Sequence, residues 1–197
     1  PITKTILVHG IQRLAYRDLD AAKTSWQTMQ RAYSFTRKEQ YKAMRTIAII
    51  LAKRHQPDAL TWLTSLDRDL EDQQVREWRV RVAIYKRDWV SVRTNIEWLS
   101  DEERSEYRWQ YWQARAMEEL GFSDEAQRLY LSIAGNRDFH AFLAADRINL
   151  PYVFDDVPLL FDDNDLLLVA RIPSIRRAKE LYHLGRIVDA RREWAHD

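Results

Sequence analysis

The chain writes one phrase twice. "LGFSDEAQRLY" runs from Leu120 to Tyr130, and "LGRIVDARREW" runs from Leu184 to Trp194. In both, Ala stands five positions after the Gly and a large aromatic stands nine after it. That spacing constrains the fold more than any other feature. A Gly in the left-handed conformation ends one helix. The Ala five later lies on the packed face of the next helix, and the aromatic is one turn further along that face.

The same offsets recur elsewhere. Arg17, Ala22 and Trp26 fit, as do Arg54, Ala59 and Leu63, and Arg87, Val92 and Ile96 fit more loosely. The turns fall at positions 17, 54, 87, 121 and 185, so the first four are almost evenly spaced and the last gap is close to two units. A turn near position 153 would complete the series. Seven positions before three of the turns stand Gly10, Ala114 and Ala178, small enough to let helices approach closely, whereas Ile47 and Val80 occupy the other two units. This is the signature of tetratricopeptide-like helical hairpins. The expected fold is all-α: a right-handed superhelix, or solenoid, of stacked antiparallel hairpins.

Helical periodicity covers 3–16, 19–33, 36–53, 57–66, 69–85, 89–99, 105–120, 123–133, 139–149 and 175–194, the last broken at Gly185. Only four Gly and five Pro interrupt 197 residues, which suits long helices and short loops. Ser100 with Glu103 reads as a capping box, Ser123 as a simple N-cap, and Pro57 as a first-turn proline. Leu166–Ile172 reads as buried helix. Asn149–Asp165, with two Pro and five Asp, breaks the rhythm and reads as a loop or joint. The expected division is a repeat region over 1–150 and linker helices over 151–197.

Chemistry is harder to find. With no Cys, disulfides and thiolate metal sites are excluded. The five His lack the i, i+4 pairing of a helical metal site, and Asp162–Asp165 lacks the Gly and distal Glu of a calcium loop. No phosphate loop or nucleophile elbow is present, so no cofactor and no metal are expected. A net charge of +1 gives no case for nucleic acid, and no apolar run reaches the length of a membrane span. The paired carboxylates, such as Asp155–Asp156 and Glu118–Glu119, read as solvated. The densest aromatic-basic stretch is "EYRWQYWQARAMEEL", Glu106–Leu120. On a helix Tyr107, Tyr111 and Ala114 share one face, and Arg108, Trp112 and Arg115 share another. Two readings fit: both stripes pack neighbouring helices, or the second is a flat platform that stacks on sugars.

"RDFHAFLAADRINLPYVF", Arg137–Phe154, resembles a segment of the soluble lytic murein transglycosylases, in which Leu-Ala-Ala-x-Arg-Leu-Gly-x-Pro-Tyr is characteristic. Phe139, Phe142–Ala145, Arg147, Pro151 and Tyr152 match; His140 and Ala141 depart, and Asn149 replaces the usual Gly. "WQYWQARAMEELGFSDEAQRLY", "RLAYRDLDAAKTSW" and "RAKELYHLGRIVDARREW" resemble other helical parts of that family, so the likeness spans nearly the whole chain.

The resemblance implies a helical superhelix that precedes a lysozyme-like catalytic domain in the periplasm. The family's acidic Glu-Ser pair and its Gly-Leu-Met-Gln motif are both missing here. No catalytic residue is therefore carried over, and the chain is expected to be the non-catalytic helical scaffold of an enzyme that cleaves glycan strands to 1,6-anhydro products. The implied partners are peptidoglycan glycan strands, the enzyme's own catalytic domain and other cell-wall proteins. Arg108, Trp112, Arg115 and Tyr152 are the candidate binding residues. The repeat spacing alone fits equally well a tetratricopeptide-like protein-interaction module of the cell envelope.

Overall fold

A computed structural model describes residues 2–154 and 156–195, and the described residues form thirteen α-helices. They are α1 (Ile2–Arg17), α2 (Leu19–Ala32), α3 (Arg37–Lys53), α4 (Ala59–Thr64), α5 (Gln73–Lys86), α6 (Trp89–Glu97), α7 (Asp101–Arg104), α8 (Tyr107–Glu119), α9 (Ser123–Ala134), α10 (Phe139–Arg147), α11 (Asp163–Arg171), α12 (Pro173–His183) and α13 (Ile187–Trp194). A 3-10 turn, Arg68–Leu70, joins α4 to α5. No strand occurs among the described residues. The all-α reading of stacked hairpins holds. Two compact units divide at Phe154: residues 1–154 and residues 155–197.

Five joints share one backbone device. His55, Arg87, Gly121, Asn149 and Gly185 all have positive φ, between 51° and 87°. Each is followed by a residue whose N–H reaches back across the helix end: Gln56 to Leu51 O, Asp88 to Ala83 O, Phe122 to Met117 O, Leu150 to Ala145 O and Arg186 to Leu181 O, at 2.9–3.0 Å. This is the Schellman arrangement, which satisfies carbonyls that a helix end would leave orphaned. The missing turn of the series is therefore at Asn149, not near 153. Asn tolerates the left-handed region, so the joint comes early and the chain then runs extended. The turn expected at Arg54 is likewise carried by its neighbour, His55. The α1–α2 joint differs: Asp18 caps α2 directly, its side chain accepting from Ala21 N at 2.9 Å.

The packed positions follow the expected offsets. Ala22, Ala59, Val92, Ala126 and Ala190 are all buried, as are Trp26, Leu63, Ile96 and Tyr130. Trp194 departs from the series, being 65% exposed. The reading of Gly10 as a close-approach residue is also corrected. It is exposed, and a Cβ built there would meet nothing within 4 Å.

In the first unit each hairpin shares a core with the helix that follows it. Trp26 and Ala22 of α1/α2 join Ala43 and Ile47 of α3, and Ala59 and Leu63 of α3/α4 join Val75 and Val82 of α5. Val92 and Ile96 of α5/α6 join Trp109 and Ala116 of α8, and Ala126 and Tyr130 of α8/α9 join Ala144 and Ala145 of α10. Stability in such an array is nearest-neighbour in character. The Arg79 side chain, 1% exposed, donates to Leu63 O at 2.7 Å and pairs with the Glu71 side chain, 5% exposed, which pins the loop before α5 onto α4.

Several local expectations need correction. Helix α5 starts at Gln73, after the separate 3-10 turn, because Asp72 accepts from Val75 N and caps it there. The Ser100–Glu103 capping box forms, but Ser123 lies inside α9 and caps nothing. Pro57 falls outside α4, ahead of Asp58 at its N-cap. Leu166–Val169 is helical as expected, yet exposed rather than buried. Asp162 starts that helix with a capping box to Asp165, which is the work the acidic run does.

Candidate functional site

The aromatic-basic stripe of α8 is joined by residues from α5 and α6. Glu77 receives two guanidiniums, Arg81 at 2.7 Å and Arg108 at 2.6 Å. Arg108 also contacts Glu106 at 2.7 Å. The Arg81 and Arg108 guanidiniums lie 5.7 Å and 4.7 Å from the centre of the buried Trp109 ring, and Arg81 also lies 5.5 Å from Trp78. Further along, Arg115 contacts Glu118 at 2.7 Å and Glu119 at 2.6 Å, with its guanidinium 5.7 Å from the Trp89 ring. Trp112 is half-buried and packs against two adjacent cores. Alternating Arg and Trp attract each other through the ring quadrupole, typically by about 0.5–2 kcal/mol per contact when partly desolvated.

Arg108, Trp112 and Arg115 thus share a helix face as the spacing predicts. That face is largely turned inward, and the Arg115 side chain is only 12% exposed. Burial works against its charge, but Glu118 and Glu119 outweigh burial and raise its pKa. Burial alone would raise the Glu118 carboxyl. The Tyr130 hydroxyl, donating at 2.6 Å, and Arg115 instead hold it below the usual carboxylate range. These groups complete one another rather than wait for a ligand. Arg108 borders an open groove, with Glu106, Tyr107, Asp138 and His140.

Tyr152 lies elsewhere. After the Asn149 joint the chain lays Tyr152 and Phe154 against Phe142 of α10, with ring centres 5.1 and 5.4 Å from the Phe142 ring. The Tyr152 hydroxyl donates to Asp146 Oδ1 at 2.6 Å. The segment Pro151–Phe154 works as a strap over α10, and Tyr152 fastens it. No hydrogen bond, ion pair or ring contact among the described residues joins Tyr152 to the α8 stripe.

A second surface was not singled out by the sequence. Trp26, Gln27, Gln30, Met44, Thr61, Trp62 and Ser65 line a shallow groove of about 220 Å³ between α2, α3 and α4. It carries no charged side chain. The Trp26 indole N–H is buried without an acceptor among the described residues, and Gln27 makes no side-chain hydrogen bond with them. Trp26 is core at 1% exposure, so the half-buried Trp62 is the ring this groove offers; with amides and hydroxyls beside it, it suits a neutral, hydrogen-bonding ring better than the α8 stripe does. Its sequence signals, Gln at i and i+3 and a Trp on another helix, are too common to stand out.

Among the described residues no three His, Asp or Glu gather as a metal cluster would require. No helix among them is long and apolar enough to cross a membrane. His196 and Asp155 lie outside the described residues.

No protein-family profile matches the chain. Over 121 residues, 60% of its length, it is 31% identical to the soluble lytic murein transglycosylase of Escherichia coli K12. It is 30% identical to that of Salmonella typhimurium over the same length. An inactive variant of lytic transglycosylase Slt from Pseudomonas aeruginosa aligns with 98% of this chain at 36% identity and a TM-score of 0.77. The chain is similar to part of the soluble lytic murein transglycosylases. It spans 18% of the length of the curated relatives and 32% of the Pseudomonas chain. In this chain the part shared with the Pseudomonas protein is built of helices, with no strand among the described residues. The 70 kDa soluble lytic transglycosylase of Escherichia coli has the same fold over 98% of this chain, with a TM-score of 0.72 at 23% identity. Another solved structure of that fold is a complex of the 70 kDa enzyme with bulgecin A.

Proposed function

We propose that this chain is the helical scaffold of a periplasmic lytic transglycosylase and helps to hold or orient peptidoglycan for a lysozyme-like domain that does the cutting. One observation carries the reading: near-complete alignment with lytic transglycosylase Slt at 36% identity. The lack of a Glu-Ser pair and of a Gly-Leu-Met-Gln motif supports a non-catalytic role for these 197 residues. The surface best suited to glycan contact is the groove beside Trp62, Gln27 and Gln30, because the α8 stripe is occupied by its own ion pairs. Arg108, at the edge of its own open groove, and Tyr152, on the strap, are weaker contributors.

Incubation with purified sacculi tests both halves. The chain should sediment with sacculi and release no anhydromuropeptides. Robust release would sink the non-catalytic reading, and failure to sediment would sink the glycan-holding one. Trp62→Ala should lower the sedimented fraction, whereas Trp112→Ala should lower stability first.

A further inference from the structure

The hairpin α12/α13 has the joint of the other hairpins but not their cover. Its groove, about 360 Å³ and almost wholly apolar, is lined by Ile175, Ala178, Lys179, Tyr182, Ala190 and Trp194. Counted from Gly185, these are the offsets that Tyr111, Ala114, Arg115, Glu118, Ala126 and Tyr130 occupy around Gly121. Around Gly121 the floor is closed: Tyr130 is 3% exposed and shares its core with the alanines of α10. Around Gly185 the alanine floor is buried, but Tyr182 and Trp194 stand open to solvent.

Four of the hairpins in the first unit have a follower, and the followers keep time. Helix α3 opens at Arg37 after the turn at Arg17, and α5 opens at Gln73 after the turn at Arg54. Helix α8 opens at Tyr107 after Arg87, and α10 at Phe139 after Gly121, so the interval hardly varies. We propose that the α12/α13 groove is the seat of one further α-helix of the same polypeptide series, which the same interval counted from Gly185 starts near position 204. This chain aligns with only 32% of the Pseudomonas protein, so such relatives have polypeptide to supply it. The seat also specifies the face of that helix. Where the hairpin presents aromatics at Tyr111 and Tyr130, α10 meets it with Ala141, Ala144 and Ala145, all fully buried. Close packing requires the volumes to complement. Ile175 and Trp194, the large residues at those two offsets, therefore call for alanine or similarly small residues at i, i+3 and i+4.

The experiment appends a second copy of residues 138–149 behind Asp197 through a flexible linker of about a dozen residues, keeping the full chain intact. A control fusion carries Gln at the three alanines of the added copy. Amide exchange over 187–194 should slow about tenfold in the first fusion and stay unchanged in the control. Ala190→Glu should abolish the protection. Equal protection in both fusions, or none in either, would overturn the proposal. So would protection of the unfused chain that grows with protein concentration, since a second copy would then be the cover.

Discussion

The hairpins α8/α9 and α12/α13 are the same device in two states of completion. Their joints match in backbone terms: a positive-φ Gly and a reach-back hydrogen bond of 2.9 Å in each. Their small floor residues, Ala126 and Ala190, are both buried. They part at the position nine past the Gly, where Tyr130 is covered and Trp194 is not. Hairpin closure and burial of the large aromatic are thus separable events. The first is local and set by the joint. The second needs a neighbour.

The comparison extends to charges. The Glu71–Arg79 pair of the first unit is buried, whereas Arg177 and Glu193, which meet at 2.8 Å between α12 and α13, stay partly in water. Removing one partner of a buried pair strands the other. Glu71→Ala should therefore cost about 3–5 kcal/mol by urea unfolding. Glu193→Ala should cost less than about 1 kcal/mol. Equal losses would mean that burial does not distinguish the two regions.

The aromatic contrast is nearly as large. Tyr130 donates to Glu118 and fills the core between α8, α9 and α10. Tyr130→Ala should cost about 3–4 kcal/mol, because it opens a cavity and takes one hydrogen-bond donor from the Glu118 carboxylate, which keeps Arg115. Trp194→Ala should change stability by less than about 0.5 kcal/mol. Paired urea titrations of the two variants give both values.

A third test uses acid. The Arg76 guanidinium bonds Glu103 at 2.8 and 2.9 Å and holds its carboxyl below the ordinary value. A depressed carboxyl contributes stability that is present above its unfolded pKa, about 4.3, and that is lost as pH falls through the lower folded value. Glu103→Gln should cost about 2 kcal/mol at neutral pH and flatten the acid limb of the stability curve. An unchanged acid limb would remove the pair from the account.

The smaller effects probe the joint itself. A Cβ at Gly121 or Gly185 meets no atom within 4 Å, so only the backbone opposes one. Gly121→Ala and Gly185→Ala should each cost roughly 1–2 kcal/mol through left-handed strain. The two costs should agree, covered or not. Arg87→Gly is the mildest: relief of strain is offset by the freer unfolded chain, leaving a change within about 0.5 kcal/mol.

The joints were legible in the sequence because a period survives substitution. Their exact residues were less so. Gly121 and Gly185 announce a left-handed turn, but His55, Arg87 and Asn149 do so only once the backbone is seen. Asn149 moved the last joint of the first unit ahead of its expected place. The shared face of Arg108, Trp112 and Arg115 was legible, since helical spacing alone dictates it. Whether that face looks outward was not. It is decided by Glu77 and Arg81 on α5, remote in sequence, which turn guanidiniums and rings toward each other. Leu166–Val169 misled for the opposite reason: apolar composition predicts burial only if a partner surface exists to receive it.

The five left-handed joints are held by main-chain hydrogen bonds, and all five pivot residues are exposed. The turn itself is therefore made by the main chain, whichever tolerant residue stands at the pivot. His, Arg, Asn and Gly all hold the left-handed turn, so these tips are places where a sequence can exchange one tolerant residue for another, or carry a side-chain label, without the hairpins beneath losing register.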